Sequence, residues 1–203
     1  MQRIKEEFIN QIDIEKSKFI TYVNRCFSDS EAKEYVMKIK KMHPDATHHC
    51  YAFVVGENHE IARSNDDGEP SGTAGMPILE ALRLSGVHDV VCVVVRYFGG
   101  IKLGAGGLVR AYSTSASEAL KKAKHVELVS MNSYELTFSY DFIRPIDYLL
   151  ESINAIITNK DYDISVTYTF FTDYPDIAKD IQELSSGTLT LNDLGPTILE
   201  KEL

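Results

Sequence analysis

Residues 90–95, Val-Val-Cys-Val-Val-Val, form an apolar run without a polar interruption, and the chain beyond it changes character abruptly. A strand wetted on one side alternates polar and apolar residues, so this run predicts a strand covered on both faces or set at a sheet centre. The run stops at Arg96, and five glycines (Gly99, Gly100, Gly104, Gly106 and Gly107) occupy the nine positions 99–107. A helix is predicted to follow over about 107–124, with Leu108, Tyr112, Ala116, Ala119 and Ala123 on one face. Glycine admits positive φ and close backbone approach, and amides converging ahead of a helix form an anion site.

Upstream, residues 2–10 and 17–27 alternate apolar and polar positions and read as a strand pair separated by Gln11 to Lys16. Ser28 and Glu31 make a capping box for a helix over about 29–42, ended by Pro44. Strands are predicted at 48–56 and 59–64 around Gly56-Glu57-Asn58. The segment 64–75, SNDDGEPSGTAG, holds nothing that sustains a helix or ladder and reads as a long functional loop. Pro77 and Gly86 then bracket a short buried helix.

A domain boundary is placed near 127, giving domains 1–127 and 128–203. The second domain reads strand 128–139, helix 142–153, strand 154–159, strand 162–171, helix 175–186, strand 188–199. Asn159-Lys160-Asp161 and Ser186-Gly187 are its predicted turns. The fold class is thus α+β, and the βαββαβ order is the split-βαβ, ferredoxin-like pattern.

Charge divides along the same line. Residues 1–126 carry 17 Lys and Arg against 16 Asp and Glu, whereas 127–203 carry 4 against 14. A polyanion is repelled by the second part, so phosphate binding is expected in the first and a protein partner suits the acidic second. Cys26, Cys50 and Cys92 form no C-x-x-C pair and read as reduced thiols. With no apolar leader in MQRIKEEF and no run near the ~18 apolar residues of a membrane span, a cytoplasmic protein is expected.

The chemistry-bearing residues concentrate in 96–112. Arg96, Lys102 and Arg110 add positive charge to the glycine amides, and a cation in the first helical turn opposes the macrodipole unless an anion sits nearby. Tyr97 and Phe98 are placed to stack on bases. The competing reading makes the glycines a tight crossover, with Arg96 and Arg110 paired to Asp66, Asp67 or Glu69 of the other loop. Neither G-x-x-x-x-G-K-[ST] nor a complete G-x-G-x-x-G is present, which argues against a nucleoside triphosphatase. His48-His49-Cys50 lacks a second ligand pair and adjacent strand residues face opposite ways, so no metal site and no cofactor are expected. Cys92 reads as inert core, and Ser71 is not in a nucleophile elbow.

Taken together, Asp66 to Gly75 (D-D-G-E-P-S-G-T-A-G) and Arg96 to Leu108 (R-Y-F-G-G-I-K-L-G-A-G-G-L) resemble the hallmark loops of the YigZ/IMPACT family. Lys16-Ser17-Lys18-Phe19-Ile20 and His49-Cys50-Tyr51-Ala52 extend the resemblance across the first domain. The resemblance implies a first domain with the fold of ribosomal protein S-five domain two and a second, ferredoxin-like domain. The pair would then be similar to domains IV and V of elongation factor G, which implies a ribosome- or RNA-related role. The eukaryotic relatives act in translational control through an additional domain, and this chain begins directly with the family domain.

Three functional expectations follow. The first is a non-catalytic, translation-associated binder of RNA or the ribosome, using Arg96, Lys102, Arg110 and the amides of Gly99, Gly100, Gly104, Gly106 and Gly107, with Tyr97 or Phe98 stacking. The second is an enzyme acting on a small phosphorylated or anionic metabolite, with Asp66, Asp67 and Glu69 as base or metal ligands and Ser71, Thr73 and His49 beside them. The third is a protein-interaction adaptor working through the acidic second domain.

Overall fold

The uninterrupted apolar run lies in the middle strand of a five-stranded antiparallel sheet in the computed structural model, which describes residues 1–203. A first unit comprises Met1–Leu128 with Glu200–Leu203. Its elements are β1 (Gln2–Ile4), β2 (Phe8–Ile14), β3 (Ser17–Arg25), α1 (Asp29–Met42), β4 (His48–Val55), β5 (Ile61–Asn65), α2 (Gly75–Ser85), β6 (Val90–Tyr97) and α3 (Gly104–Lys122). The sheet order is β2-β3-β6-β4-β5. Alternate residues of β6 serve two cores. Val90, Cys92 and Val94 pack with Leu82 of α2 and with Ala116 and Leu120 of α3. Val91, Val93 and Val95 pack with Ala32, Val36 and Ile39 of α1. With helices on both faces of the sheet, no position of the run meets water.

Helix α1 begins as its capping residues dictate. The Ser28 hydroxyl accepts from the Glu31 amide at 3.2 Å, and the Glu31 carboxylate accepts from the Phe27 amide at 2.9 Å, one residue before the cap. The expected strand pair 2–10 and 17–27 is resolved differently. Lys5, Glu6 and Glu7 break the first run, so β1 leaves this sheet. β2 and β3 form a hairpin closed by Glu15 and Lys16, both at positive φ (46° and 64°). That turn geometry usually announces itself by glycine or asparagine, neither of which is present. The predicted start of α3 also moves: Leu103 and Leu108 pack on the core and carry the helix back to Gly104. Tertiary packing here overrides the low helix propensity of glycine.

The remaining elements are β7 (His125–Phe138), α4 (Ile143–Ser152), β8 (Ile156–Tyr162), β9 (Val166–Thr172), α5 (Ile177–Leu184) and β10 (Leu191–Glu202). The second unit is Val129–Leu199. Within it β7, β9 and β8 lie side by side, with antiparallel pairing, and β10 pairs with β7. Ile146 and Leu150 of α4 and Ile177 and Ile181 of α5 pack on Leu136, Phe138, Tyr168 and Phe170. Asn159-Lys160-Asp161, expected as a turn, lies inside β8, where a register shift between Ile157 and Asn159 absorbs the extra residue. The reversal comes later, and the Asp163 amide donates to the Ser165 carbonyl at 3.0 Å. No helix is long and apolar enough to cross a membrane.

Because α1 is the helix covering the second face of β6, truncating its fully buried Ile39 tests that layer. Ile39→Ala is expected to lower unfolding stability by about 2–5 kcal/mol. Glu34→Ala on the exposed side of the same helix should stay within about 0.5 kcal/mol. The midpoint of urea unfolding followed by circular dichroism measures both.

Candidate functional site

Strand parity decides where Arg96 points. It follows Cys92 and Val94 onto the face covered by α2 and α3, opposite Phe19 of β3 and His48 of β4. Its Nη1 donates to Glu69 Oε1 at 2.6 Å, and the two side chains are only 6% and 4% exposed. Tyr112, one turn after Leu108 on α3, donates its hydroxyl to the same Oε1 at 2.8 Å. Ser17 Oγ accepts from Arg96 Nη2 at 3.4 Å. The guanidinium carbon lies 5.4 Å from the ring centroids of both Phe19 and Phe98. Cys50 adds a thiol that donates to the Asp66 carbonyl at 2.9 Å and lies 3.3 Å from the Tyr112 oxygen. Burial raises both groups, and for Tyr112 the neighbouring Cys50 and Glu69 add to the effect, so phenol and thiol keep their protons.

The loop 66–75 is held by its own first carboxylate. Asp66 Oδ2 accepts from the Gly72 amide at 2.8 Å, and Oδ1 accepts from Ala74 and Gly75 at 3.0 and 2.7 Å. Helix α2 has no side-chain cap of its own, so Asp66 supplies one from nine residues upstream. Burial alone would raise the Asp66 carboxyl, but the three amides outweigh it and hold the group below its ordinary value of 3.8. Asp67 Oδ1 pairs with Lys40 Nζ at 2.6 Å and Oδ2 accepts from the His49 amide at 2.7 Å. Those contacts likewise outweigh burial and lower its carboxyl. The Thr73 hydroxyl donates to the Pro70 carbonyl at 2.6 Å, and Ser71 is exposed at the loop surface.

Asp66, Asp67 and Glu69 therefore turn to three different sets of partners. They do not converge as base or metal ligands, and no group of three or more His, Cys, Asp and Glu is assembled for a metal ion. His48 and His49 face opposite sides of β4. His48 Nε2 lies 3.8 Å from Glu69 Oε2, while the His49 ring bonds the His43 carbonyl on the α1 side, away from the Arg96 cluster. Tyr97 also points to that side, with its hydroxyl 2.8 Å from His43 Nδ1, so it offers no stacking face beside Arg96. Phe98 does, being 46% exposed.

Of the three cations expected at the glycine segment, Arg96 is internal, whereas Lys102 and Arg110 are exposed and form no ion pair. The competing crossover reading thus holds for Arg96 and fails for Arg110. Gly99 has an architectural reason: a Cβ there would lie 2.0 Å from the Lys16 carbonyl oxygen. Gly100 and Gly104 take positive φ (88° and 68°), and a Cβ at Gly107 would lie 3.0 Å from Leu103 Cβ. Of the remaining four, only Gly106 therefore lacks a backbone or packing reason, a Cβ there meeting only the Arg110 side chain at 3.7 Å. The first turn of α3 carries neither a side-chain cap nor an acidic residue. Its first amides therefore have no side-chain acceptor. Because the helix starts at Gly104, Arg110 stands in its second turn rather than its first, with its side chain reaching back to Gly106 and exposed Lys102 ahead of the helix.

Sequence reasoning missed Tyr112, Ser17 and Cys50 as partners of this cluster. The signal existed. Ser17 and Phe19 share a face by period two, as do Cys50 and His48, and Tyr112 follows Leu108 by one turn.

Removing the carboxylate opposite a buried guanidinium leaves an uncompensated charge, so Glu69→Gln should cost about 3–5 kcal/mol of stability in urea unfolding. For Asp66, the folded value lies below the ordinary 3.8, so its stabilising contribution is complete above about pH 4 and is lost as pH falls through the lower folded value. Asp66→Asn is expected to be less stable than the parent at pH 7 and to converge toward it in acid; a parallel offset at every pH would contradict the amide staple.

Residues 15–120 match the family model described as the Impact N-terminal domain. The chain is 40% identical over 201 residues to IMPACT family member YvyE of Bacillus subtilis (strain 168), covering 98% of this chain and 93% of that protein. It is 41% identical over 152 residues to IMPACT family member YigZ of Escherichia coli (strain K12), covering 74% of each. Among solved structures, a crystal structure described as that of a hypothetical protein superposes with a TM-score of 0.61 at 35% identity, covering 94% of this chain and 95% of that one. With the Asp66 loop and the Arg96 cluster inside the matched region and similarity continuing over almost the full length, the chain belongs to the IMPACT family.

Proposed function

We propose that this protein is a non-catalytic, translation-associated binder of RNA or the ribosome, and that it contacts phosphate with the amino end of α3. The observation that carries this reading is the uncapped, acid-free first turn of α3 flanked by exposed, unpaired Lys102 and Arg110. Anions bind such ends because the first amides lack intrahelical partners and the macrodipole favours negative charge. Arg96 does not take part as a free cation, since Glu69 neutralises it.

Two further points support the role. In the second unit, β10 beside β7, β9 and β8, with α4 and α5 sharing one core, agrees with a ferredoxin-like domain. That agreement favours the likeness of the chain to domains IV and V of elongation factor G, with the first unit corresponding to ribosomal protein S-five domain two. The marked excess of Asp and Glu in 127–203 suits that part to a protein partner on the ribosome, leaving RNA contact to the first unit.

Fluorescence anisotropy with single-stranded and structured RNA across a salt series tests the reading. Binding should weaken steeply as salt rises, and Lys102→Ala with Arg110→Ala should flatten the slope of log K against log salt by about 1.4 on single strands, roughly 0.7 per phosphate contact. No binding by the parent protein at low salt would end it.

A further inference from the structure

Two clefts open on either side of Lys102 and Leu103, both within the first unit. The smaller, of about 240 Å³, is walled by Pro70, Phe98, Leu103 and Leu108, with Glu69, Arg96 and Lys102 as its charged members. The larger, of about 400 Å³, brings together Lys102, Gly107, Arg110 and Thr114, with the Glu15 carboxylate also on its wall. The smaller cleft falls below the roughly 300–1,000 Å³ of sites that enclose whole ligands, so it suits one ring system.

Its buried pair, Arg96 and Glu69, is incompletely satisfied. Arg96 is 5% exposed, yet its Nε has no hydrogen-bond partner. Glu69 uses Oε1 for both Arg96 and Tyr112, while Oε2 has only His48 Nε2 nearby at 3.8 Å. Buried donors are almost always paired, so an orphan beside an apolar slot marks a place where a ligand acceptor belongs. A guanidinium donor next to a carboxylate acceptor is complementary to a nucleobase edge, which sets amino or imino N–H groups beside ring nitrogens and carbonyl oxygens. Phe98 adds a half-exposed ring face at the same cleft, and base–aromatic stacking tolerates any base.

We infer that the smaller cleft receives one unstacked nucleobase and the larger one its sugar and phosphate, so that the site takes a single nucleotide unit. Phe98 stacks on the base, Glu69 and Arg96 meet its edge, and Lys102, Arg110 and the uncapped amides of α3 hold the phosphate. Entry of the base moves Phe98 from its position over Arg96 and gives Nε its acceptor. The inference rests on the proposed anion contact at α3 and adds a base-recognising half that the contact alone does not need.

The test compares a base-containing with a base-free polyanion on the intact chain. A single-stranded RNA oligomer carrying one 2-aminopurine and an inorganic polyphosphate of similar charge are titrated against the parent, Phe98→Ala and Phe98→Trp. RNA is expected to bind more tightly than polyphosphate, with 2-aminopurine emission changing on binding. Phe98→Ala should weaken RNA by about fivefold or more and leave polyphosphate unchanged, and Phe98→Trp should restore RNA binding. Nucleoside monophosphates then separate the sources: competition identifies a free nucleotide as ligand, and its absence places the unit within a strand. Equal binding of RNA and polyphosphate with no effect of Phe98→Ala overturns the base cleft and leaves the anion site standing. Binding of neither polyanion removes both.

Discussion

A guanidinium brought between a sheet and its helices has to be neutralised there, and the first unit is arranged around meeting that demand for Arg96. Its only ion-pair partner, Glu69, lies on a loop rather than on a regular element, so residues 66–75 must fold back over the end of β6. Tyr112 holds the same carboxylate from α3, and Ser17 reaches the guanidinium from the β2–β3 hairpin. Segments far apart in the chain are thereby brought to one point. Desolvation offsets most of the attraction in a buried pair, so the contact ties loop, strand and helix together without being a large net source of stability.

The loop could not deliver Glu69 if it were loose. Asp66 prevents that by accepting three amides, which closes the loop and caps α2 together. Gly75 completes the closure, because a Cβ there would lie 2.7–2.9 Å from the Asn65 backbone. Asp67 anchors the other flank to Lys40 of α1 and to the His49 amide of β4. Three consecutive-looking acids thus perform three separate structural tasks, which explains why their density in sequence resembles a metal or base cluster and their geometry does not.

Much of this is legible in the sequence. The doubly covered strand followed from six apolar residues in a row, α1 from Ser28 and Glu31, and the two-part organisation from the change in element order and charge. What escaped was tertiary in origin. Helix α3 begins a turn early because Leu108 is buried and half-buried Leu103 packs against the same core, a fact that propensity at Gly104, Gly106 and Gly107 opposes. The hairpin at Glu15-Lys16 uses positive φ without glycine, so no local signal marks it. At the site, charge alone grouped Arg96 with Lys102 and Arg110. Strand parity separates them, since a residue in phase with Cys92 and Val94 must enter the core while the other two lie beyond the strand.

That separation changes what each cation can do. Phosphate attraction acts over a Debye length of about 8 Å at physiological salt, so exposed charges near α3 matter more than the net −9 of the chain. Around the larger cleft those charges are Lys102 and Arg110 against Glu15. Arg96, already neutralised, has little long-range field left and acts instead through directed hydrogen bonds at contact distance. The proposed anion contact of this acidic protein would thus run through two exposed cations and a helix end, and salt would weaken it. Contacts of Arg96 and Glu69 with a base in the proposed cleft would be short-ranged and largely insensitive to salt, so the two halves of the proposed recognition are physically separable.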